Sequence, residues 1–85
     1  MYYFYILRCA DNSLYCGIAK DLQKRLKEHN SETSKTKYTR VKLPVYIVHY
    51  ERYESRGEAL KREAEVKKWS KPKKEALIKQ RADAP

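Results

Sequence analysis

An α+β fold follows from three features of the chain. Three short runs read as strands: residues 2–9, apolar on both faces as a central strand would be, residues 14–18, and residues 45–50, rich in β-branched and aromatic side chains. The first two are separated by Asp11, Asn12 and Ser13, short polar residues that favour a turn and so a hairpin. Three segments at residues 22–30, 55–69 and 72–81 carry helix start signals or helical spacing. With 85 residues, the chain is expected to form one domain spanning 1–85, its core about 2–77 and residues 82–85 frayed. A body of this size buries only about 60–65% of its unfolded surface, so the core is modest.

Register decides what the hairpin can do. Pairing Ala10 with Leu14 sets Tyr15 beside Cys9 and puts Tyr5 and Tyr15 on one face; a slip of one residue would part them. Gly17 is expected to permit a close approach beside them. Asp21 is the expected N-cap of the first helix, on whose surface Arg25, His29, Leu22 and Leu26 form one stripe. Residues 31–43 are polar and aperiodic, with Lys35, Lys37, Tyr38, Arg40 and Lys42. They read as a surface loop, either a solvated connector or a contact for a phosphate backbone. Pro44 opens the third strand. Ser55 and Glu58 form a capping box that starts the second helix, and Ser70-Lys71-Pro72 separates it from the third.

The chain holds 20 Lys and Arg against 11 Asp and Glu, a net charge of +9. So strong a positive field selects nucleic acid or an anionic surface as partner, unless it serves only solubility. Eight Tyr and one Trp favour nucleic acid, since aromatic faces stack on bases. Cys9 and Cys16 are too few for a disulfide framework and lack the companions of a zinc site; they read as small buried hydrophobes. The N-terminus runs directly into strand-like residues, and no apolar run approaches the roughly 18–20 residues of a membrane span. The expectation is a cytoplasmic protein without a membrane partner.

One acidic residue is out of place. In the second helix Val66, Ala59, Leu60 and Ala64 form the expected apolar stripe, and Glu63 falls between Ala59 and Leu60. A carboxylate facing a core needs a cation. Either Lys67 or Arg25 pairs with it, or it holds one hard divalent ion, since Mg²⁺ accepts one or two protein carboxylates with water and phosphate in its other positions.

Taken together, Tyr3-Phe4-Tyr5, Tyr15-Cys16-Gly17, Arg25 and His29 in the first helix, and Glu63 in the second resemble the GIY-YIG nuclease domain family, in particular its small stand-alone bacterial members. The resemblance covers about residues 2–77. It implies a small three-stranded antiparallel sheet flanked by three helices, and metal-dependent hydrolysis of DNA phosphodiester bonds with a single Mg²⁺ or Mn²⁺ ion. It further implies that Tyr5 activates the attacking water and that Tyr15 positions nucleophile and phosphate. Arg25 would stabilise charge on the phosphoryl oxygens, His29 would orient Tyr5 or relay a proton, and Glu63 would hold the metal. DNA, structured or branched, in repair or recombination, is the implied substrate. The alternatives are a non-catalytic nucleic-acid-binding module on the same fold and a domain that docks on an acidic protein.

A free tyrosine titrates near pH 10, so Arg25 and the metal would have to lower the Tyr5 pKa or share the task. Tyr3 stands where the family name has Gly, and Cys16 where it has Ile. Many members use an Asn near the C-terminal end, whereas the asparagines here are Asn12 and Asn30. Larger relatives carry a separate DNA-recognition domain, so substrate choice is expected to come from this surface or from a partner protein.

Overall fold

In a computed structural model, residues 1–30 and 43–82 are described. Strand β1 (Tyr2–Arg8) lies between β2 (Leu14–Ala19) and β3 (Tyr46–Tyr53), antiparallel to both, in the order β2-β1-β3. Helix α1 (Leu22–His29) follows β2; α2 (Arg56–Lys67) and α3 (Lys71–Ala82) follow β3. The fold is therefore the α+β arrangement expected, three antiparallel strands with three helices.

The central place of β1 explains its double-sided apolar pattern. Tyr5 and Leu7 point to one face, where they pack with Cys9 and Val45, together with Leu22 and Leu26 of α1. Phe4 and Ile6 point to the other, against Cys16, Val66 of α2 and Ile78 of α3. The sheet thus separates α1 from α2 and α3. Cys9 and Cys16 are free, buried and in different clusters, as small hydrophobes would be.

The hairpin register differs from the expected one by two residues. Leu14 pairs with Arg8 rather than Ala10, and Tyr15 lies beside Leu7 rather than Cys9. Residues 9–13 are taken up by the turn: Cys9 N donates to Ser13 O, Asn12 N donates to Cys9 O, and Ser13 N donates to Asp11 Oδ1. Asn12 adopts a left-handed φ of 71°, a conformation that Asn tolerates better than most residues. Because side chains alternate with a period of two, a shift of two preserves the faces, and Tyr5 and Tyr15 remain together.

The caps follow the sequence signals. Asp21 accepts from Lys24 N at 3.1 Å, and Ser55 Oγ accepts from Glu58 N at 3.2 Å. Asn30, at the end of α1, grips the chain just before β3: its Nδ2 donates to Val45 O at 3.1 Å and its Oδ1 accepts from Val45 N at 2.8 Å. On the α2 side, Glu51 of β3 accepts from Arg62 Nε at 2.9 Å and from Tyr53 Oη at 2.6 Å, and lies 2.7 Å from His49 Nε2. Burial pushes the Glu51 carboxyl up, but the bonds from Arg62, Tyr53 and His49 outweigh it and hold the pKa below the ordinary value. Arg8 donates to Glu75 at 2.7 Å and ties β1 to α3. Among the described residues no helix is long and apolar enough to cross a membrane.

Candidate active site

Tyr5 sits in the middle of the central strand, opposite Gly17 of β2, and only 2% of its surface is exposed. Its ring lies over that glycine. A Cβ at position 17 would fall 2.5 Å from Tyr5 Oη and 2.7 Å from Cζ. Gly17 is therefore required for space; its φ is not in the left-handed region. Over the missing side chain, the phenol reaches α1, where its oxygen lies 3.0 Å from His29 Nε2 and accepts from Arg25 Nε at 3.4 Å.

The one-turn spacing of Arg25 and His29 on α1 places both on the Tyr5 hydroxyl. His29 is 1% exposed. Its ring meets those of Tyr5 and Tyr15 edge to face, with centroids 6.0 and 5.1 Å away. Arg25 also donates to Glu28 Oε2 at 3.0 Å, at the open side of the cluster. Tyr5, Tyr15, Arg25 and His29, singled out from the sequence, thus converge on one phenol.

Burial raises the Tyr5 pKa above 10; Arg25 opposes this, while Tyr15 and Glu63 add to it. The lowering expected from Arg25 is outweighed because the phenolate would lose more solvation than one guanidinium restores. Burial first, and Arg25 second, drop the His29 pKa from 6.5 to about 4. At neutral pH both groups are uncharged.

This gives a stability prediction. Below about pH 6.5 the unfolded chain takes up a proton that His29 in the fold refuses until about pH 4. The unfolded state then binds more protons, so stability falls as the pH drops through that window, by up to about 3 kcal/mol. Urea unfolding midpoints at about pH 7 and about pH 4 should show a smaller loss in His29→Gln than in the unaltered chain. Equal losses would place the acid sensitivity elsewhere.

Glu63 comes from α2. Its side chain is 18% exposed, and its partner is Lys67, with Nζ at 3.7 Å and a 55% exposed side chain. The alternative pairing with Arg25 is not formed; Arg25 takes Glu28. An exposed pair one turn apart is worth only about 0.3–0.5 kcal/mol. Helix α2 packs against β2, and the Glu63 charge adds slightly to the raised pKa of Tyr5 and of Cys16, both of which burial raises first. Ala64, expected in the apolar stripe, is exposed instead, and Ala59 and Val66 are the buried positions of α2. Among the described residues no three His, Cys, Asp or Glu side chains gather as a metal cage. A single carboxylate of hard oxygens is chemically sufficient for Mg²⁺, which keeps water and phosphate oxygens in its other positions.

Lys35, Lys37, Tyr38 and Arg40 lie outside the described residues. Tyr50 is exposed on β3 and packs edge to face on Tyr3 at 6.1 Å.

Comparisons with known proteins identify the family and the fold. The family profile described as GIY-YIG catalytic domain matches residues 1–76. A UPF0213 protein of Staphylococcus aureus is 48% identical over 80 residues, covering 94% of this chain and 96% of the relative. The solution NMR structure of a UPF0213 protein from Bacillus halodurans is similar with a TM-score of 0.60 and 41% identity, over 94% of this chain and 85% of that one. A solution NMR structure from E. faecalis gives a TM-score of 0.62 at 41% identity, over 99% and 90%.

Proposed function

This chain belongs to the GIY-YIG catalytic-domain family, and from that premise and the site geometry we propose that it is a metal-dependent endonuclease hydrolysing DNA phosphodiester bonds, working as one domain. Structured or branched DNA met in repair or recombination is the proposed substrate, with a partner protein supplying further targeting. The observation that carries this reading is the meeting of Arg25, His29 and Tyr15 around the buried Tyr5 phenol.

Phosphoryl transfer needs positioning and charge neutralisation more than covalent chemistry. Arg25 meets the charge on the non-bridging phosphoryl oxygens, from a helix position fixed by Tyr5 and Glu28. Tyr5 stays protonated at rest, so it acts as a relay. It takes a proton from the attacking water as it passes its own to His29 Nε2, 3.0 Å away. His29, its pKa lowered to about 4 chiefly by burial, is neutral and can take that proton. Burial is the main cause of the lowered His29 pKa and the Arg25 charge the second, so a phosphate that offsets Arg25 raises the basicity of the acceptor in part. Tyr15, on the same face, orients water and phosphate. Glu63 would hold the Mg²⁺ or Mn²⁺ ion, which when bound supplies positive charge to the phosphate and the leaving oxygen. Lys35, Lys37, Tyr38 and Arg40 supply contacts to the DNA backbone.

The test is nicking of supercoiled and branched DNA with Mg²⁺ or with EDTA. Cutting is expected only with metal, and Arg25→Ala should slow it by about 10²–10³-fold, as loss of a charge-stabilising partner does. Unchanged cutting would remove Arg25 from the site. Tight, salt-sensitive binding without cutting would identify a non-catalytic module. No affinity for DNA at low salt would point to docking on an acidic protein.

A further inference from the structure

We propose that the turn joining α2 to α3, with the start of α3, is a second contact for the backbone of the DNA being cut, made by Lys68 of the turn and Lys73 and Lys74 of α3. It rests on the reading of this protein as a DNA endonuclease. Residues 67–74 contain Lys67, Lys68, Lys71, Lys73 and Lys74 around Trp69. Two of these lysines have carboxylate partners: Lys67 faces Glu63 at 3.7 Å, and Lys71 donates to Glu75 at 2.9 Å. Glu75 is already held by Arg8 and has its pKa drawn down to about 2 by Arg8 first and Lys71 second. Lys68, Lys73 and Lys74 have no carboxylate partner among the described residues. On a chain of net charge +9, uncompensated cations that close together favour an anion over bulk water.

The turn is also built to present them. Trp69 is half-buried against the sheet and packs with the cluster around Phe4 and Ile6. Lys73 Nζ lies 4.2 Å from the centre of its ring, and the Arg62 guanidinium lies 5.2 Å from it. The indole therefore fixes Lys73 without neutralising it. Lys71 and Lys74 border an open groove of about 470 Å³ whose other wall is the β1–β2 turn, from Asp11 to Leu14. Lys67, Lys74 and Glu63 all act on the Cys16 thiol, between Tyr15 and Gly17. Helix α2, which leads into this turn, packs on β2, the strand that also carries Tyr15 and Gly17.

A membrane surface is the less suitable anion. The large hydrophobic side chains exposed among the described residues are Met1, Tyr46 and Tyr50, none on this turn, whereas interfacial binding needs apolar groups to insert beside the cations. Phosphates at the regular spacing of a nucleic-acid strand suit a row of lysines without that requirement.

The test is binding of a fluorescent DNA duplex to the whole chain in EDTA, across a series of KCl concentrations. The combined change Lys68→Gln, Lys73→Gln and Lys74→Gln should reduce the slope of log affinity against log salt by roughly 2.7, the value for three lost phosphate contacts, and the matching Lys→Arg change should preserve it. A wild-type slope in the Gln variant would overturn the proposal, as would loss of binding to phosphatidylserine vesicles with DNA binding intact. A slope lost equally in the Arg variant would also overturn it, by assigning the lysines a structural role. Normal cleavage with an unchanged slope defeats this proposal alone. A wild-type chain that binds DNA through these lysines yet never cuts defeats only the nuclease reading.

Discussion

Glu63→Gln is expected to reduce metal-dependent cleavage by at least about 10³-fold, since a metal ligand supplies several kcal/mol of transition-state charge stabilisation. The fold should scarcely notice. The side chain is nearly isosteric, and the ion pair it removes, to the exposed Lys67 at 3.7 Å, is worth only a few tenths of a kcal/mol. The combination separates the two readings that the sequence left open for this carboxylate. A ligand loses activity and keeps stability. A structural partner of Lys67 would give Glu63→Gln and Lys67→Gln the same phenotype. Single-turnover cleavage and urea unfolding of both variants decide between them, and full activity in Glu63→Gln would exclude the carboxylate from catalysis.

Gly17→Ala should be nearly as damaging, for a steric reason. The new methyl would stand 2.5 Å from Tyr5 Oη and 2.7 Å from Cζ, well inside van der Waals contact. The phenol has little room to retreat, because Tyr5 and His29 are both buried and bonded to one another, with Tyr15 on the other flank of the imidazole. Overpacking of this kind costs about 1–3 kcal/mol. Any relaxation must also move the hydroxyl off His29 and Arg25, so cleavage should fall to the level of Tyr5→Phe. Chemical denaturation and cleavage rates measure the two effects. Wild-type activity in Gly17→Ala would mean that the phenol need not occupy its observed position.

Much of this was legible because it is local. The apolar faces of β1, the Asp21 cap and the Ser55–Glu58 signal depend on neighbours a few residues away, and each lies where the sequence places it. The shared face of Tyr5 and Tyr15 survived a register error because an even slip preserves alternation. The error itself arose at Cys9, which looks like strand but serves the turn. Distances between side chains far apart in sequence were not legible. Nothing local shows that Tyr5 would end 3.0 Å from His29 or that Asn30 clasps Val45, whereas a close approach at Gly17 was expected from its missing side chain. For the same reason the Arg25 charge beside Tyr5 could be read from the sequence, but the depth of burial that raises the Tyr5 pKa could not.

The central claim is the proposal that Glu63 of α2 holds a divalent ion next to β2, the strand that carries Tyr15. Titration of the ¹⁵N-labelled chain with Mn²⁺, read as paramagnetic broadening of amide signals, addresses it without requiring a substrate. The account predicts that signals of Glu63 and of the Tyr15-Cys16-Gly17 stretch broaden first, and that Glu63→Gln abolishes the effect. Broadening centred on Glu51, Glu58 and Glu65, or an unchanged pattern in Glu63→Gln, would contradict it.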